Sequence, residues 1–126
     1  MKPVAVYHAL PHSLMDMMRQ PVVPDFVVDI GSVMGKRIQM LEQHKSQKEW
    51  LDATQGMGSF VETLRQTARS VGEKWGPYPE AEGWRCHNYM GYCDASFKPL
   101  ETLLSKEIFH LNTQSCKEAV CANSAR

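Results

Sequence analysis

Apolar and polar positions along this chain follow two different periods, and the change of period marks out its elements. Val4-Ala5-Val6-Tyr7-His8-Ala9-Leu10 is a short β-branched and aromatic run closed by Pro11, which predicts a strand buried on both faces. Residues 11–24 hold three prolines around Ser13-Leu14-Met15-Asp16-Met17-Met18, a loop with at most one or two helical turns. Asp25-Phe26-Val27-Val28-Asp29-Ile30 predicts a second apolar strand, followed at once by a helix with Asp29 or Ser32 as its N-cap. In that helix Met34, Ile38 and Leu41 form one apolar stripe, continuing toward Trp50 and Leu51, with Lys36, Arg37, Glu42, Gln43 and Lys45 opposite.

Gly56-Met57-Gly58 interrupts the pattern, and Ser59-Phe60-Val61-Glu62 reads as a capping box opening a second helix. That helix aligns Phe60 or Val61, Leu64, Ala68, Val71 and Trp75, and Gly76-Pro77 ends it. Residues 82–89 predict a third strand with weak alternation. Pro99 is suited to open a last helix carrying Leu100, Leu103, Leu104 and Ile108, after which small polar residues predict a frayed tail. Interleaved strands and helices indicate an α/β domain of about three strands and two or three helices. Such a layer is thin for a self-sufficient core.

Composition narrows the classes of function. The chain has 126 residues, 43% hydrophobic and 22% charged, which suits one small folded domain rather than a disordered chain. Lys plus Arg and Asp plus Glu each number 14, so the net charge is zero. Nucleic acid and anionic lipid both select clustered basic residues, so neither is an expected partner. No apolar run approaches the roughly 18 residues of a membrane helix, and residues 1–20 lack a signal peptide's apolar stretch; the expected compartment is the cytoplasm. Cys86, Cys93, Cys116 and Cys121 show no C-x-x-C spacing and are expected mostly as free thiols.

Candidate chemistry is sparse. His8 and His12 are four apart, but Pro11 prevents the helix that would put both imidazoles on one face as a zinc-peptidase pair. Cys86, His87 and Cys93 offer three donor types for a metal-binding module, without the paired spacing of a zinc knuckle. The eight methionines read as core and gap filling. No G-x-S-x-G, phosphate-binding glycine loop or G-x-G-x-x-G occurs. His44-Lys45-Ser46-Gln47 is the most unusual local feature: an imidazole, a hydroxyl and an amide together at a helix end, able to line a pocket mouth. A polar helix terminus in water is the plainer reading of the same residues.

Three stretches taken together carry a family resemblance. Val4 through His12, Val22-Val23-Pro24-Asp25-Phe26-Val27-Val28-Asp29-Ile30, and residues 36–47 ending in His44-Lys45-Ser46-Gln47 resemble the LmbE/PIG-L family, zinc-dependent deacetylases of N-acetylglucosaminyl compounds. The stretch from Glu80 to Arg85, with Glu82 before Trp84, is similar to that family's closing strand. The likeness spans residues 3–104 and implies the C-terminal part of a Rossmann-like three-layer fold whose N-terminal half is absent, with 105–126 as a polar tail.

The family's metal ligands and base come from Ala-His-Pro-Asp-Asp-Glu and His-Pro-Asp-His-like motifs, and neither occurs here. The resemblance therefore implies no catalytic or metal-ligating residue in this chain, no zinc bound by it alone, and no turnover by it alone. It carries over only a substrate-side role for Gln47, hydrogen-bonding a sugar or amide, with His44 in support. Strands lacking their partners imply an association hazard at exposed edges. The expected partners are a second copy or a companion chain supplying the missing half, with an N-acetyl sugar as ligand once completed. The alternative is a small interaction module that works by association.

Overall fold

The computed structural model describes residues 2–55 and 60–111. Four strands, β1 (Tyr7–Ala9), β2 (Phe26–Asp29), β3 (Ala81–Cys86) and β4 (Ile108–His110), form one sheet in the order β1-β3-β2-β4. Every neighbouring pair is antiparallel. The helices are α1 (Met34–Glu42), α2 (Lys45–Gln55), α3 (Phe60–Trp75) and α4 (Pro99–Leu103), with a 3-10 turn at Gly31–Val33 before α1.

The mixed α/β reading holds, but the sheet has four strands rather than three and is antiparallel, where a Rossmann-like layer is built on parallel strands. The connection explains the direction. A single helical crossover carries the chain back to the start of a strand and yields a parallel neighbour. Here α1 and α2 lead away from the end of β2, and α3, 16 residues long, brings the chain back to it. Ile30 N–H accordingly donates to Glu80 O at 3.1 Å, and Asp29 pairs with Ala81.

β2 is the centre of the core. Phe26 and Val27 are completely buried, and Val28 and Ile30 nearly so, as expected for an apolar strand flanked on both sides. Alternation divides its side chains between two clusters. Phe26 and Val28 join Ile30, Met34 and Ala68, with Leu100 of α4 and Leu104 just after it packed against them. Val27 joins Val71 of α3 and Ala81, with Trp75 and Tyr78 alongside. The apolar run at residues 26–30, a strand edge that could have been left exposed, is thus covered by this chain's own helices and strands.

β1 differs from its prediction. It is an edge strand of three residues, and His8 and Ala9 are exposed rather than buried on both faces. Leu10 turns inward over Gly83, where a β-carbon would come 2.5 Å from Leu10 Cδ1 and 3.1 Å from Pro24 Cβ, so β3 has no room for a side chain there. The expected third strand stops at Cys86 rather than reaching Tyr89.

Helix ends show the remaining departures. Asp29 Oδ1 accepts the Gly31 N–H at 3.0 Å, but Ile30 and Val33 hold the N-cap positions and Ser32 caps nothing. α1 stops at Glu42 with its last turn tightened, His44 N–H donating to Leu41 O at 3.0 Å, so the expected continuous stripe is split between two helices. Pro99 opens α4 as predicted. Ile108, assigned to that helix by spacing, is instead the first residue of β4, and residues 105–111 of the expected tail hold this strand and the turn before it. Ser59 of the capping box, Cys116, Cys121 and tail residues 112–126 lie outside the described residues.

Candidate functional site

Several concavities flank the sheet. One, about 430 Å³, is lined by β1, the start of β2, the end of β3, the loop after it and α4. Its polar centre gathers residues that the sequence reading never connected. Tyr7 Oη donates to Glu101 Oε2 at 2.7 Å and accepts the Leu100 N–H at 3.3 Å, so a strand near the N-terminus is pinned to the first turn of α4. Cys86 Sγ lies 3.7 Å from Glu101 Oε1, and its backbone N–H donates to Asp25 Oδ2 at 2.7 Å. Lys98, His87 and the Phe26 ring complete the lining that bears on this cluster.

Both acidic hydrogens there are held on. Partial burial, then the hydrogen bond to Glu101, pushes the Tyr7 phenol up to about 12. Partial burial of its sulfur, then the negative charges of Glu101 and Asp25, pushes the Cys86 thiol up to about 11, although the residue as a whole is exposed. A thiol this reluctant to ionise is a poor nucleophile at neutral pH. The hollow therefore offers hydrogen-bond donors, acceptors and aromatic edges, and no activated attacking group. Asp94, at its rim, is held below the usual carboxylate range by the Ser96 hydroxyl at 2.6 Å and the Ser96 N–H at 2.8 Å.

These raised values set the alkaline behaviour. Each group is protonated in both states below its ordinary value, 9.0 for the thiol and 10.0 for the phenol. Above those values the unfolded chain loses the proton first, so stability falls as pH rises toward about 11 and about 12. Glu101→Gln removes one charge behind both shifts. It is expected to bring the Cys86 thiol partway back toward its ordinary value, burial being the larger cause, and to flatten the alkaline loss of stability. Thiolate absorbance during a pH titration, with Cys86→Ser to assign the signal, checks this; a wild-type Cys86 that already ionises at 9.0 contradicts it.

The second concavity, about 300 Å³, is a groove between α1, α3 and the start of β3, lined by Leu10, Leu41, Leu64 and Val71 among others. At its mouth Arg37 and Glu82 form a half-exposed ion pair at 2.8 Å. Glu80, two residues earlier, lies 3.5 Å from Arg65 and 3.8 Å from Arg69 of α3.

The residues singled out from sequence fall as follows. His44 sits exposed at the junction of α1 and α2, and Gln47 is exposed in the first turn of α2. Neither lines the two concavities above. His8 and His12 do not converge: His12 lies exposed in the loop after β1, while His8 contacts His87. Cys86 turns to Glu101 and His87 turns to His8, so the Cys86, His87 and Cys93 module does not assemble. Among the described residues no three His, Cys, Asp or Glu side chains come together to hold a metal. Cys86 and Cys93 are unbonded, and no helix among the described residues is long and apolar enough to cross a membrane.

Compared with known proteins, the chain matches no family model, no curated sequence and no solved structure.

Proposed function

We propose that this chain is the substrate-facing, metal-free part of an LmbE/PIG-L-type N-deacetylase pocket, completed by a companion chain that brings the zinc ligands and the base. One observation carries the reading: the Arg37–Glu82 ion pair at 2.8 Å. Arg37 lies in the helical stretch that leads to His44-Lys45-Ser46-Gln47, and Glu82 lies in the stretch similar to the family's closing strand. They are far apart in sequence, yet they meet, and β2 runs beside the same closing strand in the register Val28↔Glu82. The finer fold assignment, one end of a three-layer architecture, belongs to this proposal; α3 reaches both core clusters, through Ala68 and Val71.

The residues present do not fit the family's zinc, because the described residues offer no three-donor cluster and the sequence has neither ligand motif. The chemistry left to this chain is binding. Gln47 offers a carbonyl and an amide to an acetamido group, and His44 stands three residues before it in the same polar junction. Both are open to solvent, as a surface that a second polypeptide closes must be. Two unbonded cysteines suit a reducing compartment, and we assign the chain to the cytoplasm on that ground.

N-Acetylglucosamine added to the purified chain is expected to shift the amide resonances of His44 and Gln47, and Gln47→Ala is expected to weaken binding by about 1 kcal/mol, roughly fivefold. With zinc in the buffer, the chain alone releases no acetate from an N-acetylglucosaminyl compound. Turnover by this chain alone overturns the division of labour, and undisturbed resonances at saturating sugar overturn the substrate side.

A further inference from the structure

β1 and β3 present two imidazoles to one another across the sheet edge. His8 is paired in register with Arg85, and the ladder continues one step past β3 through the His87 N–H, which donates to Val6 O at 3.0 Å. His87 is therefore the diagonal cross-strand neighbour of His8, on the same face. The rings meet with centroids 4.9 Å apart, and His8 Nε2 lies 2.7 Å from His87 Nδ1. The Tyr92 ring stands edge-on to His87 at 5.3 Å.

We propose that His8 and His87 form a two-imidazole chelate for a divalent transition-metal cation that prefers square-planar or octahedral coordination, nickel or copper rather than zinc. The separation makes the selection. Nitrogens bound at about 2.0–2.1 Å to one ion stand about 2.9 Å apart at a right angle, and about 3.4 Å apart at the tetrahedral angle. The observed 2.7 Å, a hydrogen bond between the two rings, lies nearer the first, and both exposed rings turn to bring their lone pairs onto one ion. Charge balance is simple: with both imidazoles neutral, the ring that donates the facing hydrogen carries it on its other nitrogen instead, so His8 holds its hydrogen on Nδ1, His87 on Nε2, and no proton is released.

Both residues are exposed, so water fills the remaining positions and the cation gives up only the waters that the two imidazoles replace. Arg85, on the same face opposite His8, adds a positive charge that holds the affinity down. No third His, Cys, Asp or Glu joins the pair among the described residues, which also sets it apart from a structural zinc centre. The proposal stands independently of the deacetylase reading, since neither imidazole has a part in that reading.

Nickel is the probe, because free thiols reduce cupric ion. Calorimetric titration of the purified chain with Ni²⁺ is expected to show one His8-dependent site. His8→Ala and His87→Ala each weaken it at least about tenfold, because one imidazole alone is a monodentate ligand, while His12→Ala leaves it unchanged. Zn²⁺ loses less affinity than Ni²⁺ on the same substitutions. Excess Ni²⁺ raises the Tm of the wild type and of His12→Ala by tying β1 to β3, and leaves the Tm of the two variants where it was. His8→Gln and His87→Gln replace any alanine variant whose circular dichroism departs from wild type. Unchanged nickel affinity in either variant overturns the chelate, as does a histidine-dependent zinc affinity equal to that for nickel.

Discussion

Phe26→Ala is expected to destabilise the protein by about 3–5 kcal/mol, the range for emptying a fully packed aromatic site. Small domains carry about 5–15 kcal/mol in all, so this one change consumes a large share of the total. Phe26 is 0% exposed, lies opposite Trp84 on one side and His110 on the other, and meets the Tyr7 ring edge-on at 6.0 Å. It therefore contacts all three other strands, and its strand neighbours cannot collapse into the space without breaking a pairing. Phe26→Leu keeps most of the volume and is expected to cost less than about 1.5 kcal/mol. Phe109→Ala, on the half-exposed β4 side chain, is expected to cost under about 1 kcal/mol. Urea unfolding midpoints at constant slope rank the three. A Phe26→Ala loss below about 1 kcal/mol would mean that the core does not centre on β2.

The elements legible in the sequence are those whose period repeats and whose neighbours agree with it. The buried run of β2 and the stripe of α3 from Leu64 through Ala68 and Val71 to Trp75 both fold as their periods dictate. Ile108 shows the converse. Its spacing from Leu100, Leu103 and Leu104 is helical, but Phe109 pairs with Val27, and Leu111 N–H donates to Asp25 O at 3.0 Å. Sheet completion along the free side of β2 decides the conformation there, and no local signal announces it. The split between α1 and α2 is similarly silent, since neither glycine nor proline marks Gln43 and His44.

The sites were less legible than the fold for the same reason. Tyr7 and Glu101, or His8 and His87, are brought together by strand register and not by spacing along the chain. A motif read along the chain joined His87 to its neighbour Cys86, whereas the structure gives those two residues different partners. His44-Lys45-Ser46-Gln47 was visible because its residues are consecutive, and the structure leaves it at an exposed helix junction whose meaning depends on what covers it.

Gly72→Ala is a case where local propensity and packing predict opposite signs. In an exposed helix interior the change stabilises by about 1 kcal/mol, because alanine is the best helix former and glycine among the worst. Gly72, in the last third of α3, is buried, and a β-carbon there would run into the Tyr78 carbonyl oxygen, with Pro79 close behind. Those atoms are backbone, so no flexible side chain is available to move aside. The segment they belong to leads through Glu80 into β3, with Ala81 opposite Asp29 and Glu82 next to it, paired with Arg37. Overpacking of this kind costs about 1–3 kcal/mol, and the net effect is expected to be a loss despite the helical gain. Gly72→Val adds bulk and is expected to lose more, while Gly35→Ala, in α1 with nothing near its β-carbon, is expected to gain. Chemical denaturation of the three separates packing from propensity. If Gly72→Ala and Gly35→Ala stabilise alike, the return of the chain from α3 to β3 does not pass against the helix backbone, and the seating of β3 beside β2 has another cause.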